Sequence, residues 1–412
     1  MQTFTYLIIG GGVAGTTAAE TIRKNDTTGT IGIISDEPYR LYSRVMLSKP
    51  AFFLEKIPFD SIWLKDEPWY KEKKIEFLGG KEAIEIHAEQ KTVSLDDGMT
   101  VGYEKLLIAT GGHVRYWNMQ GAQKNGIYYL HTLDDGKKII SAIKTAKKAI
   151  TIGGGVISFE MAELLKQAGL DVTMLIRENY YWSPTLDEES GTMIEETLQK
   201  NGITLLKNTE VKEILGNDTV EGVILNNERK LDCDMIICGI GIVCGQDWFT
   251  KSGLTVNRGI ITNEYLETNI KDIWAAGDIA EYNDLILEET VQLGNWVNAR
   301  EQGVTAGLNM TCAEKKPFKF VSFYTTQGLG INIGFVGDAR PGDDRVIIKR
   351  GSPKINSYAR LITVDNELIG ATLINRTQEL TAIANIIKYD VNIAGKESDL
   401  ANINFDLKSL IP

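Results

Sequence analysis

Cysteine is scarce in this chain. Four occur among 412 residues: Cys233, Cys238, Cys244 and Cys312. No two are spaced as CxxC, which excludes a disulfide-stapled scaffold and a local dithiol motif. Cys233, Cys238 and Cys244 follow one another closely, but no further ligand stands at cluster spacing, so no metal site is expected. Cys238 lies in the apolar run MIICG, where a thiol serves as a small buried side chain. Positive charge is also short. Lys and Arg number 44 against 55 Asp and Glu, a net charge of −11. Such a chain has no general affinity for nucleic acid or anionic membrane. Long hydrophobic runs are missing too. The longest, near 235–245, is too short and too rich in glycine to span a bilayer. The N-terminus shows no basic n-region or cleavage site, so no export signal is expected and the chain reads as cytoplasmic. The rest, 43% apolar and 24% charged residues, is an ordinary globular composition, long enough for two or three domains.

Glycine, by contrast, is placed with purpose. The chain opens MQTFTYLIIGGGVAGTTAAE. Residues 5–9 read as a strand and 14–24 as a helix, with Gly10, Gly12 and Gly15 between them. In that spacing the first glycine permits a tight turn. The second lets a pyrophosphate approach the backbone. The third lets strand and helix pack closely, with the helix N-terminus facing the phosphates. A second strand at 30–34 is followed by Asp36 and Glu37, where an acid is required for ribose hydroxyls. The pattern returns at 149–163 as AITIGGGVISFEMAE. Gly153 and Gly155 follow the strand 149–152, and Ser158 stands where glycine or alanine is usual. A helix 156–168 and a strand 172–176 complete the unit. Two nucleotide folds imply two dinucleotides, one a bound prosthetic group and one an exchangeable cosubstrate.

Two further stretches, LLIATGG at 106–112 and IWAAGD at 273–278, make the set specific. Together with both glycine loops, they make the chain resemble the two-dinucleotide-fold flavoprotein reductases. The resemblance implies an α/β architecture: two Rossmann-like domains, the FAD domain split by an inserted NAD domain, and a C-terminal α+β interface domain. The expected division is 1–116 and 246–318 for FAD, 117–245 for NAD(P), and 319–412 for the interface domain. Short strands with a hairpin at Asp97 and Gly98 are expected over 81–101, a surface helical segment over 52–74, and a helix over 378–388 after three C-terminal strands. The resemblance puts FAD against Gly10, Gly12, Ala14, Gly15, Asp36, Glu37, Ala83, Ala109, Thr110, Gly111, Arg115, Gly277 and Asp278, the last on the ribityl chain. It puts the nicotinamide nucleotide against Gly153, Gly155, Ile157, Arg177, Glu178 and Gly241.

Disulfide reductases of this superfamily carry a cysteine pair soon after the first acid and a histidine near the C-terminus. This chain has no cysteine before Cys233, and its only histidines are His87, His113 and His131. It has YSRVMLSK at 42–49 instead. That segment is similar to one in a branch containing ferredoxin and rubredoxin reductases, the flavin module of NADH-dependent nitrite reductases, and apoptosis-inducing factor. By that similarity Arg44 contacts FAD and Lys49 sits by flavin N5, where a cation stabilises negative charge on the reduced ring. The counterpart of Glu160 faces the nicotinamide amide, and Glu160 is expected to pair with Lys49 beside the flavin. In LGNWVNAREQG, at 293–303, Asn295 and Trp296 match positions that meet the flavin at a helix N-terminus. Tyr324 aligns with an aromatic that covers the ring. Ser158 to Glu178 is the offset of a ribose-binding acid, which favours NADH by repelling a 2′-phosphate. Arg177 argues for NADPH, but its usual second arginine is replaced by Ser183. The expected activity is transfer of electrons from NADH through FAD to an external acceptor, a redoxin or a partner iron–sulfur subunit. A peroxide-forming NADH oxidase and an NADH-responsive interaction protein are the alternatives. A homodimer or hetero-complex is compatible with either. Arg345, Lys349, Arg350 and Lys354 are read as a basic cluster able to steer an acidic redoxin.

Overall fold

A computed structural model describes residues 1–245 and 247–412; Gln246, at an expected domain boundary, lies outside the described residues. The chain divides into two compact units. The first comprises Met1–Ser43, Asp60–His113 and Ile242–Ser322, and the second Arg44–Phe59, Val114–Gly241 and Phe323–Pro412. The three-domain division expected above is drawn by ligand, whereas these units are drawn by packing.

In the first unit the main sheet runs Ile75–Gly79, Ile31–Ser35, Gln2–Ile9 and Thr100–Ile108, with Ile273–Ala275 also pairing the last. These pairings are parallel, and Ile8 registers with both Ile33 and Leu107. Strands buried on both faces need apolar residues at every position, which is why TYLII reads as a continuous run. Alternation then sorts it. Tyr6 and Ile8 enter one core layer with Ala14, Ala18 and Ile22, while Leu7 and Ile9 enter the other with Leu106 and Ile108. Antiparallel strands Thr92–Leu95 and Ala83–His87 extend the sheet, and the expected turn is present with Gly98 at φ +82°. Helix Val13–Asn25 packs on helix Trp296–Thr311 through small residues. A Cβ on Gly303 would stand 2.4 Å from the Ala14 carbonyl oxygen, so the two backbones approach closely.

The second unit holds five parallel strands in the order Thr204–Leu206, Asp171–Leu175, Lys148–Ile152, Met235–Cys238 and Ile127–Tyr128. A three-stranded antiparallel sheet, Val211–Leu215, Gly222–Leu225 and Lys230–Asp232, packs its Val211, Ile214, Val223 and Leu225 with Ile150, Leu175 and Ile236. The C-terminal part is a five-stranded antiparallel sheet: Phe323–Gly328, Ile331–Gly337, Glu367–Ile374, Ser357–Val364, Val346–Ser352. Helix Leu380–Lys388 buries Ile383, Ile386 and Ile387.

Three readings are corrected. The surface helical segment expected over 52–74 is helical and largely exposed but not continuous. It breaks into helix Pro50–Phe53, a 3₁₀ turn Phe59–Ile62 and helix Glu67–Glu72, and Phe52, Phe53 and Ile62 are buried. Helices Leu133–Ile143 and Glu188–Lys200 were not foreseen, although Thr132 and Asp187 cap them as their sequence allows. The basic cluster is not a free face. Arg350 is fully buried, paired with Glu379 and donating to the carbonyls of Leu400 and Phe405, so it anchors the C-terminal tail. Arg345 pairs with Asp338 and Lys349 with Glu189. Lys354 alone of the four is exposed without such an ion pair among the described residues.

Candidate active site

The two glycine loops have the same physical construction. Gly10 has φ +119°, and a Cβ there would stand 2.1 Å from the Ala109 carbonyl oxygen. Gly153 has φ +105°, and its Cβ would stand 2.4 Å from the Gly239 carbonyl oxygen. Only glycine fits either place. A Cβ on Gly15 would stand 2.0 Å from the Gly10 carbonyl oxygen, which is the close packing asked of the third position. Ser158 meets that demand differently. It is fully buried, its hydroxyl donates to the Ile152 carbonyl at 3.1 Å, and Gly239 opposite makes room for it.

Gly12 and Gly155 are the opposite case. Each is the N-cap of its helix in extended conformation, makes no side-chain cap, and has nothing within 4 Å of its missing Cβ. Open space therefore lies directly before two uncapped helix N-termini. Neither helix carries an acid in its first turn, whereas Glu67–Glu72, Leu133–Ile143 and Glu188–Lys200 all do. Unsatisfied N–H groups, the positive end of the helix dipole and no competing carboxylate suit a phosphate. Both cradles thus fit a dinucleotide.

Around the first cradle, in the first unit, Ala14 is buried in the helix and Ala109, Thr110 and Gly111 follow the strand Thr100–Ile108, Gly111 at φ +68° with open space at its Cβ. Asp36 is exposed. Glu37 is half-buried and accepts from Tyr42 Oη at 2.7 Å. Ala83 is buried in its strand. Gly277, at φ +85°, donates its N–H to Gln302 Oε1 at 2.7 Å, and Asp278 beside it is half-buried. Asn295 caps helix Trp296–Thr311, accepting from Asn298 N at 2.8 Å and donating to Ser322 Oγ at 2.8 Å. Its amide is thus committed within the chain, while Trp296 is 37% exposed.

In the second unit, Glu178 Oε2 lies 3.9 Å from where a Gly154 Cβ would be, so the acid stands at the second cradle. Arg177 is exposed and its Nε meets Glu178 Oε1 at 3.1 Å. Ile157 is half-exposed on the first helical turn. Arg115 is exposed and its N–H donates to the Gly241 carbonyl at 2.9 Å. Tyr324 stacks on Phe335 with centroids 4.7 Å apart, and burial raises its phenol above the ordinary range.

The segment 42–49 places the charged pair. Arg44–Ser48 is a 3₁₀ turn, and Arg44 Nη1 donates to the His131 carbonyl at 2.6 Å. Lys49 precedes Pro50, and the pre-proline position holds it extended at φ −89°, ψ 127°. Its ammonium thereby leaves the helical path and meets Glu160 Oε1 at 2.5 Å; the glutamate side chain is 5% exposed and the lysine 25%. Two groups missed by sequence reasoning complete the arrangement. Ser48 Oγ donates to Glu160 Oε2, and Thr326 Oγ1 donates to Glu160 Oε1 at 2.6 Å. Ser48 stood in the quoted motif without a role. Thr326, far away in sequence, had no local signal.

Cys233, Cys238 and Cys244 are buried, and burial pushes each up to about 12. A thiol held that far above neutral pH is not a nucleophile. Among the described residues, no helix is long and apolar enough to cross a membrane.

Comparison with known proteins places the sequence and the fold in a family. The family model described as pyridine nucleotide-disulphide oxidoreductase matches residues 4–303. The chain is 28% identical over 392 residues to a nitrite reductase [NAD(P)H] of Bacillus subtilis, covering 94% of this chain and 48% of that protein. It is 27% identical to rhodocoxin reductase of Rhodococcus erythropolis, covering 98% and 94%. It thus spans about half the length of the first of these curated relatives and nearly all of the other. A solved ferredoxin reductase from Rhodopseudomonas palustris superposes with TM-score 0.92 over 100% of both chains at 25% identity. The chain belongs to the pyridine nucleotide-disulphide oxidoreductase family, whose members pair a flavin with NAD(P)H, and it belongs there without a redox dithiol at the expected place.

Proposed function

We propose that this chain is an FAD-dependent NADH oxidoreductase that passes electrons to an external carrier, a redoxin or an iron–sulfur subunit. The observation that carries this reading is the state of the cysteines. Three are buried at about 12 and none precedes residue 233, so reducing equivalents have no thiol relay inside the chain. The names of the relatives, a rhodocoxin reductase and a ferredoxin reductase, support the same direction of flow.

The residues of the first unit that would hold FAD are those of the first cradle, with Asp278, Asn295 and Trp296. Bound there, FAD would supply the exchange between a two-electron hydride donor and one-electron acceptors. The chain's own contribution is electrostatic. Lys49 presents a fixed ammonium, Glu160 compensates and orients it, and the uncapped helix N-termini neutralise phosphate charge. No side chain in this arrangement needs to form a covalent bond.

Glu178 supports NADH as the donor. Its carboxylate at the second cradle suits ribose hydroxyls and opposes a 2′-phosphate. Glu178→Ala is expected to raise the NADPH-to-NADH ratio of kcat/KM by about 10-fold or more, because a repulsive charge is removed and Arg177 is freed. A ratio that stays put would assign specificity elsewhere.

The acceptor is tested by steady-state turnover with NADH. Turnover with a rubredoxin or a two-iron ferredoxin that far exceeds turnover with oxygen supports the proposal. Rapid peroxide formation with no redoxin reduction would make the chain an NADH oxidase. A slow-decaying flavin–NAD charge-transfer band with a change in oligomeric state would make it an interaction protein.

A further inference from the structure

Glu160 is the terminus of an unusual convergence. Helix Val156–Gln167 points it at a strand of the C-terminal sheet, and one turn later Glu163 Oε1 accepts the Leu329 N–H at 2.8 Å. Leu329 and Gly330, both at positive φ (+53° and +83°), form the turn between strands Phe323–Gly328 and Ile331–Gly337. The Leu329 carbonyl in turn accepts from Asn201 Nδ2 at 3.3 Å. The first hairpin of the C-terminal sheet is thus fastened to the second nucleotide fold at its tip, and Thr326 is the residue it delivers to Glu160.

A carboxylate has two oxygens and room for about four donors. One donor on one oxygen leaves the group free to swing about its terminal torsion, which is broad for glutamate. Here Ser48 takes Oε2, while Thr326 and Lys49 share Oε1. With both oxygens assigned, the carboxylate plane is fixed, and with it the place at which the flexible lysine stem can end. Lys49 remains a quarter exposed and has few other restraints of this strength.

We propose that Thr326, with Ser48, is a positioning residue of the active site, fixing the Glu160 carboxylate so that the Lys49 ammonium is held in one place. It follows that the first strand of the C-terminal sheet completes the electrostatic arrangement around Lys49. This rests on the function proposed above, but its physical core, a hydroxyl acting through Glu160, is independent of which cofactor binds.

The test is a double-mutant cycle read in two ways. Thr326→Val keeps the shape and removes the hydroxyl. In the flavin-loaded protein it is expected to slow the hydride-transfer step in stopped flow by about 10-fold, with the KM for NADH changed much less. Thr326→Ser should restore the rate. In the flavin-free protein, Thr326→Val is expected to lower Tm in the parent but not in a Glu160→Ala background, where the hydroxyl has lost its acceptor. Equal effects of Thr326→Val in both backgrounds, or no rescue by serine, would overturn the proposal. A parent that shows the thermal coupling but never takes up flavin would instead overturn the proposed function and leave the clamp standing.

Discussion

Lys49→Met is expected to reduce the rate of hydride uptake from NADH by about 100-fold while leaving flavin bound. The estimate follows from what a single preorganised charge is worth when it is removed from a water-poor site, about 10²–10³ in rate. Methionine matches the lysine stem in length, so the apolar part of the side chain is kept. What disappears is the ammonium that meets Glu160 Oε1. The glutamate, 5% exposed, keeps Ser48 and Thr326 as donors but loses its counter-charge. Breaking a buried pair from one side costs about 3–5 kcal/mol. Because Lys49 is a quarter exposed and two hydroxyl donors remain, about 2 kcal/mol is a better figure here. A lower Tm should therefore accompany the slower reduction. Lys49→Arg keeps the charge on a bulkier, planar head and should recover stability better than rate. Stopped-flow reduction with NADH and thermal melts of the same preparations check both parts. A methionine variant reduced at the parent rate would remove Lys49 from the mechanism.

The parts of the fold that were legible in sequence are those where local chemistry has one solution. A loop that brings a backbone carbonyl to within 2.1 Å of a Cβ position can only be glycine, so Gly10 and Gly153 announce themselves. The five-residue offset of Glu160 from Gly155 is equally local. Thr326 is different. It sits on an outer strand of an antiparallel sheet, with nothing nearby in sequence to distinguish it from Thr325, which is exposed. Its partner is 166 residues away, and only tertiary packing selects it. The misread basic cluster fails for the same reason. Arg350 and Lys354 look alike in a sequence, yet burial against Glu379 and the tail carbonyls makes one a structural pin and leaves the other on the surface. Helix Glu188–Lys200 carries Gly191 near its start, a residue of low helix propensity. In the structure that glycine is required, since a Cβ would stand 2.8 Å from the Tyr181 carbonyl oxygen.

Valine at Gly12 is expected to yield a folded but colourless protein, and valine at Gly155 a folded yellow protein that NADH barely reduces. Both glycines have extended backbone, φ −74° and −86°, a region that β-branched residues favour. Neither has an atom within 4 Å of its Cβ position. The added Cβ therefore meets no protein atom, and the flavin-free Tm should stay near that of the parent. Its methyl groups would instead occupy the space before a helix N-terminus where a pyrophosphate must lie. Overpacking of that kind costs about 1–3 kcal/mol, and losing the approach to several N–H donors adds to it, so the affinity of the blocked ligand should fall by about 100-fold or more. Gly10→Ala is the contrasting case. It combines a left-handed backbone with an overlap against the Ala109 carbonyl, and should destabilise the fold whether or not a ligand is present. The two open glycines thus separate ligand from scaffold. They also separate the two ligands. Flavin absorbance after purification reports the first cradle, and the KM for NADH, together with full reduction of the same sample by dithionite, reports the second. If Gly155→Val lost the flavin and Gly12→Val kept it, the order of the two dinucleotides along the chain would be reversed, and the roles given to Glu37 and Glu178 would have to be exchanged with it.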